Sequence, residues 1–144
     1  MPSNIRFVAL GAVRRGDELL VFESESPDTG ETYYRFLGGG VEFGEHSRDA
    51  VTREFQEELG VEFVAASAVG TFERVFTFDG ATAHEVWRVY EGQIIEDWPY
   101  ERDSFTFTEP ELDTEQFARW LPIETLRDAE TTFYAPAVLD ALEV

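Results

Sequence analysis

The sequence predicts an α/β chain of the α+β kind, with a mixed sheet and a few helices packed on it. Three observations carry this. Runs rich in β-branched and aromatic residues outnumber helix-like runs. They do not alternate with helices in the regular βαβ order of a doubly wound fold. The chain of 144 residues is 43% hydrophobic, with 13 phenylalanines, enough for the core of one domain over residues 1–144.

Each element has its own signal. Residues 5–14 (IRFVALGAVR) read as a strand, RGDE at 15–18 as a turn and LLVFES at 19–24 as a second strand, together a hairpin. SPDTGE at 26–31 is a loop, YYRFL at 33–37 a short strand, and GGGVEFGE at 38–45 a glycine-rich loop. Ser47 stands where an N-cap belongs, a helix follows from about 48 to 59, and Gly60 stops it. Val51, Phe55 and Leu59 make one apolar stripe on that helix. Residues 61–79 and 84–95 read as strands. Residues 96–119, acidic and carrying Pro99 and Pro110, read as a long loop with room for a short helical turn. WLPIETL at 120–126 is a short strand or turn entering a helix, and FYAPAVLDALEV is a terminal helix.

Composition excludes several function classes. The net charge is −19, which argues against binding a nucleic-acid polymer or an anionic membrane. No run of about 18 apolar residues exists to span a bilayer. The first residues lack the basic, apolar and small-residue order of a secretory leader, so the expected location is cytoplasmic. With no cysteine, thiolate catalysis, disulfides and zinc–thiolate sites are absent. His46 and His84 are too far apart to suggest a histidine metal site. All 11 basic residues are arginine. An acidic, lysine-free surface suits concentrated salt, where screening removes self-repulsion; a GC-rich coding bias gives the same preference for arginine.

The helix poses a chemical problem. At roughly 100° per residue, Glu54, Glu57 and Glu58 fall within about 100° of one another, beside the apolar stripe. A solvated acidic face is the bland reading of such a cluster. Three carboxylates at this spacing repel, and Arg53, four residues before Glu57, offsets one charge. A hard divalent cation, Mg²⁺ or Mn²⁺, would answer all three. The glycine-rich loop running into the helix N-terminus is a place for phosphate oxygens.

Spacing sharpens this reading. From Gly39 the chain runs five residues to Glu45, seven more, then Arg53-Glu54-Phe55-Gln56-Glu57-Glu58-Leu59-Gly60-Val61. This stretch, 39–61, resembles the Nudix box of the MutT-like hydrolases. It covers about a sixth of the chain, and looser similarity extends into the flanks.

The resemblance implies an α/β/α sandwich with a mixed sheet. It also implies Mg²⁺- or Mn²⁺-dependent cleavage of the diphosphate linkage in a nucleoside diphosphate joined to another group. That substrate class includes nucleoside triphosphates, ADP-ribose, nucleotide sugars and dinucleoside polyphosphates. Carried over by position, Glu54, Glu57 and Glu58 match the metal-binding glutamates, Glu45 the first glutamate of the box, and Arg53 the arginine that orients them. Gly38 matches a glycine whose carbonyl faces the metal. Gly39 and Gly60 serve backbone geometry. Leu37 stands where many members have proline, a difference that touches loop rigidity.

The general base varies in this family; candidates here outside the box are Glu85, Glu109, Glu111 and Glu115. Arg35, Gly39 and Tyr34, in or near the loop, are expected substrate contacts, with Phe7 and Phe76 as further aromatics for a base. The partner expected is a small nucleotide, and the state a monomer or homodimer. The alternative function is a catalytically silent domain of this family that binds a nucleotide as a regulatory module.

Overall fold

The computed structural model describes residues 4–109, 114–128, 132–133 and 136–142. Among these, nine strands form a mixed sheet: β1 (Ile5–Arg15), β2 (Glu18–Glu25), β3 (Thr32–Arg35), β4 (Leu37–Gly40), β5 (Phe63–Phe78), β6 (Ala81–Ile94), β7 (Ser104–Glu109), β8 (Thr114–Pro122) and β9 (Thr132–Phe133). The helices are α1 (Ser47–Leu59), α2 (Ile123–Arg127) and α3 (Pro136–Ala141).

β1 is the hinge of the architecture. Its last residues, Arg14 and Arg15, pair antiparallel with Leu19 and Glu18 of β2. Its middle, Val8 to Gly11, pairs instead with Gly40 to Leu37 of β4. The expected hairpin therefore joins at its base and then parts. One wing runs β5-β6-β1-β4, with β1 and β6 parallel. The other runs β7-β8-β2-β3-β9. The cleft described below lies where these wings diverge.

The apolar run of β1 is buried on both faces, as a strand between two layers must be. Ala9 and Val13 face the cluster formed with Val51 and Phe55 of α1, Phe63 and Tyr90. Val8, Leu10 and Ala12 face the cluster formed with Trp87, Val89, Leu126, Val138 and Leu139, under α2 and α3. Helices thus cover both faces of the sheet. Phe55 and Phe63 stack with ring centres 4.5 Å apart and anchor α1. Of the predicted stripe, Val51 and Phe55 are fully buried and Leu59 packs at its margin.

Several local expectations need correction. The N-cap of α1 is His46, not Ser47: the His46 backbone is extended (φ −73°, ψ 141°) and its Nδ1 accepts the Arg48 N–H at 3.1 Å. Ser47 is buried and its hydroxyl meets the Tyr90 hydroxyl at 2.7 Å. Gly60 closes the helix in the left-handed conformation (φ 68°). Leu37–Gly40 is strand, although glycine disfavours it, because β1 supplies a pairing partner.

Residues 96–119 do contain the short helical turn, at Trp98–Glu101, but most of the remainder is β7 and β8. Buried Phe105 and Phe107 alternate there with exposed Ser104 and Thr106, a period of two hidden by the surrounding acidic residues. The terminal helix begins at Pro136, a residue suited to a first helical turn.

Candidate active site

Arg53 organises the glutamates. It lies one turn before Glu57 on α1 and points its guanidinium across the helix edge toward the loop after β4. Nε donates to Glu45 Oε2 at 2.8 Å and Nη2 to Glu45 Oε1 at 2.9 Å. Nη2 also donates to the Gly40 carbonyl at 3.0 Å. Nη1 reaches Glu54 Oε1 at 3.3 Å and Glu57 Oε2 at 3.2 Å. One arginine thus hydrogen-bonds to three carboxylates and has a fourth, Glu42, at 4.0 Å, more than helical spacing alone predicts. Glu45 also accepts the Glu42 N–H at 3.1 Å. The Arg53 hydrogen bonds first, and that backbone bond second, hold the Glu45 carboxyl well below its ordinary value, at about 2. The same pairing raises the Arg53 pKa.

Glu54 behaves in the opposite sense. Its side chain is only 14% exposed, and burial raises its carboxyl above the ordinary value. The Glu57 charge adds to the rise, while hydrogen bonds with Glu58 and Arg53 oppose it. Four carboxylates, Glu45, Glu54, Glu57 and Glu58, against one guanidinium leave a formal excess of three negative charges when all are ionised.

Gly38 and Gly39 bring β4 against this cluster. At Gly39 a Cβ would lie 2.4 Å from the Glu54 carboxylate. At Gly38 (φ 149°) it would lie 2.0 Å from the Ala9 carbonyl oxygen. Glycine at 39 therefore makes room for a carboxylate, and glycine at 38 for the neighbouring strand.

A cleft of about 770 Å³ opens over this edge, lined by Gly38, Gly39, Glu54, Glu57 and Glu58 on one side and Arg6, Arg35 and Tyr33 on the other. It adjoins a smaller cavity of about 160 Å³ whose walls include Phe76, Phe78, Trp87 and Glu85. Arg6, Tyr33, Arg35, Phe36 and Phe78 border both. Asp28, in the loop after β2, accepts the N–H groups of Asp79 and Gly80 at 2.9 and 2.7 Å, tying that loop to the tip of the β5–β6 hairpin beside the cleft.

The donor set fits a hard divalent cation in its chemistry: oxygen ligands only, with excess negative charge. Among the described residues no three histidine or carboxylate groups stand together as a ready metal cage, and Glu57 is turned to Arg53. A cation would draw Glu57 away from that partner.

The other sequence candidates are distributed as follows. Arg35 lines the cleft, its guanidinium 5.5 Å from the centre of the Phe22 ring. Tyr34 packs against the core cluster that contains Phe36, Leu126 and Leu139 and does not line the cleft, and burial first and Glu23 second raise its phenol pKa. Its neighbour Tyr33 faces the cleft instead. Alternation along β3 decides between them, and its phase follows only from the register. Phe7 is on the face away from Arg6, 42% exposed, whereas Phe76 lines the smaller cavity. Glu85 lines that cavity too and is not among the residues bordering the carboxylate cleft. Glu111 and the side chains of Glu109 and Glu115 lie outside the described residues. Arg6 escaped the sequence reading, and Tyr33, Phe78 and Trp87 read there as core aromatics rather than as a platform for a base, because strand residues far apart in the chain meet only through the β1–β6 and β2–β3 pairings.

The site thus combines a mixed sheet covered on both faces with a glycine-led strand that feeds a glutamate-rich helix edge. A family model for the NUDIX domain matches residues 5–141. The chain belongs to the NUDIX domain family.

Among individual relatives, a protein of Mycobacterium tuberculosis named "Putative 8-oxo-dGTP diphosphatase 2" is 38% identical over 88 residues. The match covers 59% of this chain and 60% of the relative's length. Solved structures share the fold. A NUDIX hydrolase from Nitrosomonas europaea superposes with a TM-score of 0.66 at 22% identity, covering 97% of this chain and 87% of that one. A MutT NUDIX hydrolase from Burkholderia pseudomallei gives 0.66 at 20% identity, covering 97% and 99%. No helix among the described residues is long and apolar enough to cross a membrane.

Proposed function

We propose that this chain hydrolyses the diphosphate linkage of a nucleotide, with Mg²⁺ or Mn²⁺ held by Glu54, Glu57 and Glu58 and by the Gly38 carbonyl. The observation that carries this is the order of groups along one continuous groove. An aromatic cavity with Trp87, Phe76 and Phe78 comes first, then the cations Arg6 and Arg35, then the carboxylate edge of α1. A nucleotide has the same order: base, phosphates, and the cations that accompany them.

When bound, the metal would neutralise the diphosphate and activate water as a Lewis acid. The chain's own groups do the rest. Arg6 and Arg35 hold phosphate oxygens. Arg53 fixes Glu54 and Glu57, and Glu45 fixes Arg53. Water oxygen attacks phosphorus, the anhydride P–O bond breaks, and a cleft carboxylate takes the proton. A nucleoside triphosphate would give a monophosphate and pyrophosphate.

The name of the M. tuberculosis relative makes a deoxyguanosine triphosphate, normal or oxidised, the first substrate to try. The test is a product-release panel with nucleoside triphosphates, 8-oxo-dGTP, ADP-ribose, nucleotide sugars and dinucleoside polyphosphates. It is run for the wild type and Glu57→Gln, with Mg²⁺ and Mn²⁺, in low and molar salt. Turnover of one class, lost in the variant, is expected. Nucleotide binding with no turnover of any class would replace this reading with a silent binding module.

A further inference from the structure

Glu85 is an unusual wall for an aromatic cavity. It lies on β6 opposite Arg6 of β1 and Arg74 of β5, and its side chain is 13% exposed. Its Oε1 accepts the Trp87 indole N–H at 2.8 Å, and its Oε2 lies 3.5 Å from Arg6 Nη1. These contacts orient the carboxylate without exhausting it, because two carboxylate oxygens offer about four acceptor sites. Val8, Leu10, Phe76, Phe78 and Trp87 supply the apolar walls around it, while Arg6, Arg35 and Tyr33 stand where the cavity opens to the cleft. The cavity therefore offers flat apolar walls for a ring, with an acceptor-only group at one wall.

We propose that Glu85 is a specificity-determining residue that selects guanine, pairing its carboxylate with the adjacent N1–H and 2-amino donors of that base. This rests on the nucleotide reading of the groove and deepens it. The selection follows from hydrogen-bond chemistry. Adenine places one amino donor beside a ring acceptor, cytosine does the same, and thymine has a single N–H between two carbonyls. Guanine alone among the four presents two neighbouring donors on one edge, the match for a carboxylate. A wrong base leaves the largely covered carboxylate facing an acceptor, which is costly away from water. Oxidation at C8 leaves this edge unchanged, so Glu85 serves guanine and 8-oxoguanine alike.

The test uses the whole chain and needs no turnover. Calorimetric binding of dGMP, dIMP, dAMP, dCMP and dTMP is measured with Mg²⁺ present. The wild type is expected to bind dGMP roughly ten-fold or more tightly than dAMP, with dIMP, which lacks the 2-amino group, in between. Glu85→Gln retains the shape and the acceptor for Trp87 but sets an amide N–H₂ against guanine. It should lose roughly ten-fold in dGMP affinity with dAMP unchanged.

An equal fall for every base would mean a merely structural role and would overturn the proposal. So would a wild type with no preference for dGMP, including one that binds no monophosphate. If the variant does not fold, the dGMP-to-dIMP comparison on the wild type still decides: equal affinities sink the idea. Guanine-selective binding without hydrolysis of any nucleotide would leave this inference standing and remove the catalytic reading. Hydrolysis indifferent to the base would do the reverse.

Discussion

Arg53 grips Glu45 through two parallel hydrogen bonds, Nε to Oε2 at 2.8 Å and Nη2 to Oε1 at 2.9 Å, while its remaining nitrogen faces Glu54 and Glu57. A planar fork can do this and an ammonium cannot. Arg53→Lys should therefore lower turnover by roughly ten- to a hundred-fold, the usual cost of losing a partner that orients metal ligands. Stability should fall by only about 1 kcal/mol or less, since the guanidinium is partly exposed and screened. Steady-state kinetics beside urea denaturation would check both. Turnover unaltered in the lysine variant would remove Arg53 from the machinery.

The neighbouring glycines should separate fold from site. A Cβ at Gly38 meets backbone, the Ala9 carbonyl oxygen at 2.0 Å, and the residue has a positive φ. Gly38→Ala should cost about 2–4 kcal/mol of stability, by strain and loss of the β1–β4 pairing. A Cβ at Gly39 meets the end of a flexible side chain, the Glu54 carboxylate. Gly39→Ala should fold with about 1 kcal/mol lost or less, yet lose activity ten-fold or more, because Glu54 is displaced. Equal damage by the two substitutions to stability would contradict this division.

Acid sensitivity should carry the mark of Glu45. Its folded-state pKa is depressed from 4.5 to about 2, first by the Arg53 hydrogen bonds and then by the Glu42 N–H. Across that window the unfolded chain binds the proton and the folded chain does not. The stabilisation is therefore complete above about 4.5 and is lost as pH falls toward about 2. Relative to wild type, Glu45→Gln should be less stable at neutral pH, with the gap closing through this window. Parallel stability curves for the two proteins would be the adverse result.

Metal and salt should act on the same excess of carboxylates but at different sites. If Glu54, Glu57 and Glu58 hold Mg²⁺, the cation should raise the melting temperature. The gain is about 2.7 kcal/mol at a hundred-fold excess over its dissociation constant, and Glu57→Gln should abolish most of it. Molar KCl should stabilise wild type and variant alike, by screening a net charge of −19. A melting temperature unmoved by KCl would end the high-salt reading of the composition, and one unmoved by Mg²⁺ would count against the metal site.

The legible parts of the site were those whose partners are close in sequence. Arg53, Glu54, Glu57 and Glu58 share a turn or two of one helix, so their common edge follows from helical geometry. The β7–β8 pair was not legible, because acidic residues and Pro110 masked the alternation of Phe105 and Phe107. His46 displaced Ser47 as the cap because the Ser47 hydroxyl is occupied by Tyr90, 43 residues away.

By itself, then, the sequence determined the mixed α+β class, the family, and the carboxylate edge of α1, because each rests on local periodicity and short spacing. Tertiary structure alone decided that Tyr33 rather than Tyr34 faces the cleft, and that Glu85 stands in an aromatic cavity beside Arg6. Both depend on strand register. A shift of one residue in register exchanges the two faces of a strand, and nothing in the local sequence states which pairing the chain will choose.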